Sequence, residues 1–336
     1  MRGQVINHPE TRGHDMNNKH RRFFSAQFAT IILTLWAMAS CRQSPNILPA
    51  VPENAEKSVL IINSDKSVDK YATIQREFES TLEVKTIEVD IAGDRLSTDA
   101  LQNQISSVRS PLVYAIGSKA YTLASTVIKN KALLFSSMIN WRRFEVGSNT
   151  YGIALELPAE MQLFMCSYLF PEIRTLGVLY SEHHNRQWFD LAVSQANEVG
   201  LTLHGNTVEN SDETIPALKA LLPKVDALWL ISDPIVLYNT QTTQTIFAET
   251  AARQKPIFAY NTLFSKYGAV LTISADIPTM GRQAAGLALD ILKQQTVDEK
   301  VQFPAGSQVT LNLKKVQEYG IKINHAALSS VGKIIQ

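Results

Sequence analysis

From Ser58 onward the chain alternates short apolar runs with longer stretches in which apolar residues recur at helical spacing. Runs rich in Val, Ile, Leu and Tyr predict strands at Val59–Asn63, Val84–Val89, Leu112–Ile116 and Leu133–Ser137. Between them, Tyr71, Ile74, Phe78 and Leu82 share one face of a helix over Val68–Leu82. A second helix is predicted over Leu101–Val108, and a third begins near Ser118. Strand–helix alternation of this kind is the pattern of βαβ units and a parallel sheet.

A second series follows, with strands at Leu176–Tyr180, Leu201–His204, Ala227–Ile231 and Pro256–Tyr260. Pro158 stands where it can open a helix. In that helix Met161, Phe164, Met165 and Tyr168 recur at helical spacing and are expected in the core rather than around a cofactor. The series ends in a strand at Ala269–Ser274, a helix over Pro278–Lys293 and a strand near Val309–Leu313. A final helix over Leu313–Tyr319 stops at Gly320. The expected architecture is α/β: two Rossmann-like lobes with parallel sheets flanked by helices, joined by a three-strand hinge. Crossovers are placed near Val146–Thr150, Tyr260–Phe264 and Lys300–Pro304. Residues 58–148 with 263–300 then form one lobe, and 149–262 with 301–336 the other.

The N-terminal 40 residues differ from the rest. Lys19, Arg21 and Arg22 precede an apolar run from Phe28 to Met38 that is too short to span a bilayer comfortably. It fits the apolar part of a signal peptide. The run closes on Met38-Ala39-Ser40-Cys41, which is similar to the bacterial lipobox; Cys41 is then lipidated and becomes the mature N-terminus. A plain signal peptide and an uncleaved anchor are the alternatives. Translation from Met16 gives this leader an ordinary length. Pro45, Pro49 and Pro52 mark residues 41–57 as a flexible tether. With Cys41 acylated, Cys166 has no disulfide partner and reads as a buried thiol.

Composition adds exclusions. The formal charge is +1; beyond residue 40 it is −2, from 27 basic and 29 acidic residues. That balance gives no field to attract nucleic acid. Neither G-x-x-x-x-G-K-[ST] nor G-x-G-x-x-G occurs, and there is no G-x-S-x-G elbow. No metal, cofactor or catalytic set is expected. His183-His184 beside Glu182 reads as a solvated loop, with metal binding as the alternative.

In open parallel sheets ligands bind beyond the C-terminal strand ends. That rule selects Asn63, Ser64 and Asp65, Gly117 and Ser118, then Ser136, Ser137 and Asn140 in the first lobe. In the second it selects Tyr180, Ser181 and Glu182, Ser232 and Asp233, then Tyr260 and Asn261. Gly117-Ser118 can hold a carboxylate at a helix start, or Ser118 can simply cap that helix. Asp233 can bind an ammonium group as an unpaired carboxylate, or serve the turn before Pro234. Trp141, Arg142 and Arg143 can add a stacking face and anion contacts, or lie solvated.

Taken in order, several segments resemble the ABC-transporter substrate-binding family related to tryptophan and tyrosine uptake receptors. They are Val225-Asp226-Ala227-Leu228-Trp229-Leu230-Ile231-Ser232-Asp233-Pro234 and Ile173-Arg174-Thr175-Leu176-Gly177-Val178-Leu179-Tyr180, which follows a helix carrying Glu160 and Gln162. Met280-Gly281-Arg282-Gln283-Ala284-Ala285, Leu311-Asn312-Leu313-Lys314-Lys315 and Tyr319-Gly320-Ile321 complete the match, which runs from about Ser58 to Ile321. The resemblance implies a type I periplasmic-binding fold with a ligand between the lobes. It places Ser118, Ser137, Asp233 and Asn261 where members contact ligand. Trp141 stands where a proline is common, and the first lobe is the weaker match.

The expected protein is a monomeric lipoprotein of the cell envelope, in the periplasm. It captures a small polar ligand, an amino acid among the candidates, for an ABC permease. The alternative is a sensory or scaffolding binding protein coupled to an envelope receptor. An envelope enzyme is the least supported reading.

Overall fold

The computed structural model describes residues 58–92 and 98–336. The predicted leader, the tether and Cys41 lie outside the described residues. Among those described, no helix is long and apolar enough to cross a membrane.

The chain runs β1 (Ser58–Asn63), α1 (Asp69–Thr81), β2 (Lys85–Asp90), α2 (Thr98–Ser107), β3 (Leu112–Ile116), α3 (Ser118–Val127), β4 (Ala132–Ser136) and β5 (Thr150–Ile153). It continues through α4 (Ala159–Leu169), β6 (Thr175–Ser181), α5 (Glu182–Glu198), β7 (Thr202–Val208), α6 (Thr214–Leu221), β8 (Ala227–Leu230), α7 (Thr240–Ala252), β9 (Ile257–Ala259) and β10 (Leu271–Ala275). Last come α8 (Ile277–Leu292), β11 (Val301–Gln302), β12 (Ser307–Asn312), α9 (Leu313–Glu318) and β13 (Lys333–Ile335).

Two sheets result. The first has the order β11-β5-β4-β3-β1-β2, with every neighbouring pair parallel. Its central strands are buried along their whole length because helices cover both faces, which is why they read as unbroken apolar runs. Ile74 and Phe78 of α1 with Met280, Ala284 and Ala288 of α8 fill one side; Leu101, Ile105, Ala120 and Ala124 of α2 and α3 fill the other. Gly281 lets α1 and α8 approach closely: a Cβ there would meet Ile74 O at 2.6 Å and Glu77 Cβ at 2.7 Å.

The second sheet has the order β13-β12-β10-β9-β8-β6-β7, parallel except for β10 against β12. Helices α4, α5 and α9 cover one face, and α6 and α7 the other. Cys166 is buried in this core, and burial pushes its thiol pKa up, so it is inert.

The sheets correct the expected lobe limits. Thr150–Ile153 and Val301–Gln302 belong to the first sheet, and Leu271–Ala275 to the second. The chain therefore passes between halves after Ile153, after Ala275 and after Gln302. The first two passages fall later than the sequence places them. Thr150-Tyr151-Gly152-Ile153 is a short run broken by glycine, yet it pairs along β4 from Leu133 to Ser136. Leu271–Ala275 is claimed for the second half by its antiparallel ladder with Ser307–Leu311.

The aromatic stripe of α4 also needs correction. Of the stripe expected in the core, Met165 is buried with Gln162, Leu163, Cys166 and Leu169 and Met161 packs against them, whereas Phe164 is 52% and Tyr168 36% exposed. Those two lie four residues apart on the outer face and stack on each other at 5.6 Å.

Candidate functional site

Loops at the C-terminal ends of strands from both halves converge on one cavity. Its walls are Asn140 and Arg142 beyond β4, Glu156 and Leu157 on the first crossing, and Gln162 of α4. The second half adds Asn185 and Trp188 of α5, Ile231 and Ser232 beyond β8, and Tyr260 beyond β9. The cavity measures about 30 Å³, enough for one or two water-sized groups.

Asn140 joins the halves. Its backbone takes a left-handed conformation at φ 47°, which asparagine tolerates, and starts the short 3-10 turn Trp141–Arg143. Its amide N–H donates to Glu156 Oε1 at 2.5 Å. Its side-chain Nδ2 donates to Ser232 O at 3.4 Å, a long bond across the cleft. Asn185 Nδ2 reaches the same carbonyl at 3.3 Å.

Asp233 is the best-bonded acid in this region. Oδ2 accepts from Ser181 N at 2.7 Å, Ser181 Oγ at 2.8 Å and Asn185 Nδ2 at 2.7 Å. Oδ1 accepts from Ile235 N at 2.9 Å and Val236 N at 3.0 Å. The side chain is buried. It is therefore not the unpaired carboxylate that the ammonium reading requires. It serves the turn after β8 and also ties that turn to the start of α5. Ser181 is consumed by the same knot.

The remaining sequence-selected residues divide by what holds them. Asn63 donates to Gln75 Oε1 at 2.8 Å and accepts from Asp65 N at 3.0 Å. Ser64 Oγ accepts from Ala120 N at 3.0 Å, so the start of α3 is capped from the tip of β1. The N-cap residue is Gly117, not Ser118, which stands one position inside the helix. Tyr180 is buried and stacks on Phe189 at 4.3 Å, away from the cavity wall. Asn261 Oδ1 caps the short helix that follows it, accepting from Leu263 N at 2.9 Å. Ser137 is wholly buried at φ 56°, and its hydroxyl has no partner. Of the residues the sequence selects, Asn140, Arg142, Ser232 and Tyr260 line the cavity itself.

Glu156, Gln162, Asn185 and Trp188 were not selected as site residues by the strand-tip rule. Glu156 follows β5, the strand the sequence reading passes over. Asn185 and Trp188 lie inside α5, a turn or more beyond any strand tip.

Burial raises the Glu156 pKa above its ordinary value, opposed by the Asn140 amide, by the Arg142 guanidinium and by the neighbouring Ser232 hydroxyl. Burial likewise pushes the Tyr260 phenol up to about 12, with Ser232 opposing and the Glu156 charge adding. His183 and His184 occupy the first turn of α5 rather than a loop, with rings 4.8 Å apart. The His184 pKa is lowered by burial and by His183, with a smaller part from Arg143 across the cleft. Among the described residues no three His, Cys, Asp or Glu side chains gather as a metal site.

A family profile described as ABC transporter substrate binding protein matches residues 58–335. The chain belongs to that family. Binding proteins of this ABC transporter family work outside the cytoplasm, and the family is not one of enzymes. Solved structures share the type I periplasmic-binding fold. One is an ABC domain from Streptococcus pneumoniae in complex with L-Trp, 20% identical, with a TM-score of 0.60 over 83% of this chain and 100% of that one. Another is a ligand-free, open substrate-binding protein with adhesive properties from Clostridium difficile, 16% identical, with a TM-score of 0.64 over 83% of this chain and 99% of that one. A conserved domain protein from Vibrio cholerae is 16% identical, with a TM-score of 0.59 over the same shares. No curated protein sequence is similar enough to this chain to count as a relative.

Proposed function

We propose that this family member is a periplasmic lipoprotein that traps a small polar solute between its halves and hands it to an ABC permease, without catalysing a reaction on it. The observation that carries the reading is the cavity itself, walled by Asn140 from one half and Ser232 and Tyr260 from the other. A site split in this way forms only when the halves meet, so solute capture and closure are one event. The L-Trp bound by the pneumococcal structure makes an amino acid the first solute to try.

Two measurements test it. Trp188 lines the cavity and packs on Trp229 at 5.1 Å. A bound solute is therefore expected to change tryptophan emission, raise the melting temperature and reduce the radius of gyration together. A broad panel of amino acids, sugars and organic acids that moves none of the three ends the transport reading. The anchor is tested separately, by growing cells with a labelled fatty acid. Label should enter the protein and vanish in Cys41→Ala; label that persists in that variant refutes acylation at Cys41.

A further inference from the structure

His183 and His184 do not line the cavity, but they stand where the two halves touch. Two amides, one from each half, meet on a single carbonyl: Asn140 Nδ2 and Asn185 Nδ2 reach Ser232 O at 3.4 Å and 3.3 Å. That contact sets the turn Trp141–Arg143 of the first half against the first turn of α5 in the second. Arg142 and Arg143 are exposed, with guanidinium groups over the Trp141 ring at 4.8 Å and the Phe144 ring at 4.7 Å. Among the described residues no acid forms an ion pair with either. Opposite them are His183, exposed, and His184, half-buried, with rings 4.8 Å apart.

The charges around His184 come from three elements. Its own helix supplies His183 and Glu182, and Glu182 is already paired with Arg186 at 2.8 Å, which also holds Asp190 at 2.9 Å. The turn after β8 supplies Asp233, whose carboxylate is filled by five hydrogen bonds. The first half supplies Arg143. Burial, His183 and Arg143 oppose a charged ring, Asp233 favours one, and the balance lowers the His184 pKa. The first turn of a helix is also the positive end of its dipole, which disfavours a cation there. Of the charged groups that oppose protonation, only Arg143 belongs to the other half, so its share vanishes when the halves separate.

We propose that His184 and Arg143 form a pH-sensitive gate on closure: neutral His184 lets the halves meet, and protonated His184 repels Arg143 and parts them. The gate rests on the closing motion of the solute-binding reading above and adds a regulator to it. Its cost to closure is absent above the ordinary histidine value of 6.5 and grows as the pH falls below it. Acid therefore favours the open form and release. Glu156 titrates with the opposite sign, because burial raises its pKa and acid favours its buried form. It does so equally in His184→Gln, so comparing that variant with wild type isolates the histidine.

The test is small-angle scattering of the solute-free protein from about pH 8 to about pH 5, the range in which histidine changes charge. Wild type, His184→Gln and Arg143→Gln are compared, with tryptophan emission as a second reading of closure. Relative to His184→Gln, wild type should lose closed form as the pH falls. The closed-to-open ratio should drop by about two- to fivefold more, the scale of one exposed charge pair. Arg143→Gln should lose most of that extra drop. In proton NMR its His184 ring should titrate at a higher pH than in wild type, a shift that a merely structural arginine would not cause.

Radius profiles against pH that coincide in wild type and His184→Gln overturn the gate. So does a His184 titration unmoved by Arg143→Gln, a reading that stands even where His184→Gln folds poorly. A solute whose affinity follows the same pH profile in wild type and His184→Gln leaves solute capture standing and removes the gate alone. Radius profiles that differ as expected, with no solute bound from the panel, keep the gate and remove the transport reading.

Discussion

Asp233→Ala is expected to destabilise the protein by about 4 kcal/mol. The carboxylate is buried and accepts five hydrogen bonds. Its removal strands three backbone N–H groups and one N–H of the Asn185 amide, which keeps its bond to Ser232 O, each at a cost of about 1–3 kcal/mol before relaxation. Water entering the vacated space offsets part of that sum. Asp233→Asn, which keeps one acceptor oxygen but puts an NH₂ group against donors, should fall between wild type and alanine. Guanidinium unfolding curves give the measurement. A loss below about 1 kcal/mol contradicts the knot. A variant with unchanged stability that no longer binds solute would return Asp233 to the role the sequence suggested.

Gly117→Ala is expected to cost about 3 kcal/mol. Gly117 has φ 88° and ψ 164°, a region open in practice to glycine alone, and forcing another residue into it costs on the order of 1–3 kcal/mol. A Cβ there would also meet Ser64 Oγ at 2.6 Å and the Tyr71 ring at 3.0 Å. Ser64 is the group that caps α3 through Ala120 N, and a lost cap is worth about 1 kcal/mol. Ser64→Ala isolates that part, so the difference between the two variants measures the backbone strain together with the contact against Tyr71. Thermal melts of both settle the matter: a Gly117→Ala protein as stable as Ser64→Ala would show that no strain exists at this turn.

Most of the fold is legible in the sequence because both sheets are covered on both faces. Leu112–Ile116 and Ala227–Leu230 are buried throughout, so nothing interrupts their apolar runs. What the sequence hides is the marginal pairing. β5 contains Gly152, β11 has two residues and β13 is an exposed edge. None of these carries a run long enough to announce a strand, and missing β5 also meant missing Glu156 just beyond it. Asp233 shows a second difficulty. Polar residues after a strand read alike whether they face a cleft or one another, and the deciding donors, Ser181 and Asn185, lie about fifty residues upstream. In α4 the periodicity was plain but its phase was not, because Phe164 and Tyr168 are as apolar as the residues that do point inward.

The chain's repeated passage between the two sheets has a consequence for how the protein is made. The apolar side of the first sheet that holds Ile74 and Phe78 is finished by α8, which follows every strand from β6 to β10. At ribosomal speeds of about 5–20 residues per second, α8 is translated on the order of 10 s after β4. Throughout that interval the nascent polypeptide carries a greasy flank that α1 alone covers only in part. A holding chaperone has its natural target there, and a polypeptide truncated before residue 277 should aggregate rather than yield a free-standing first half.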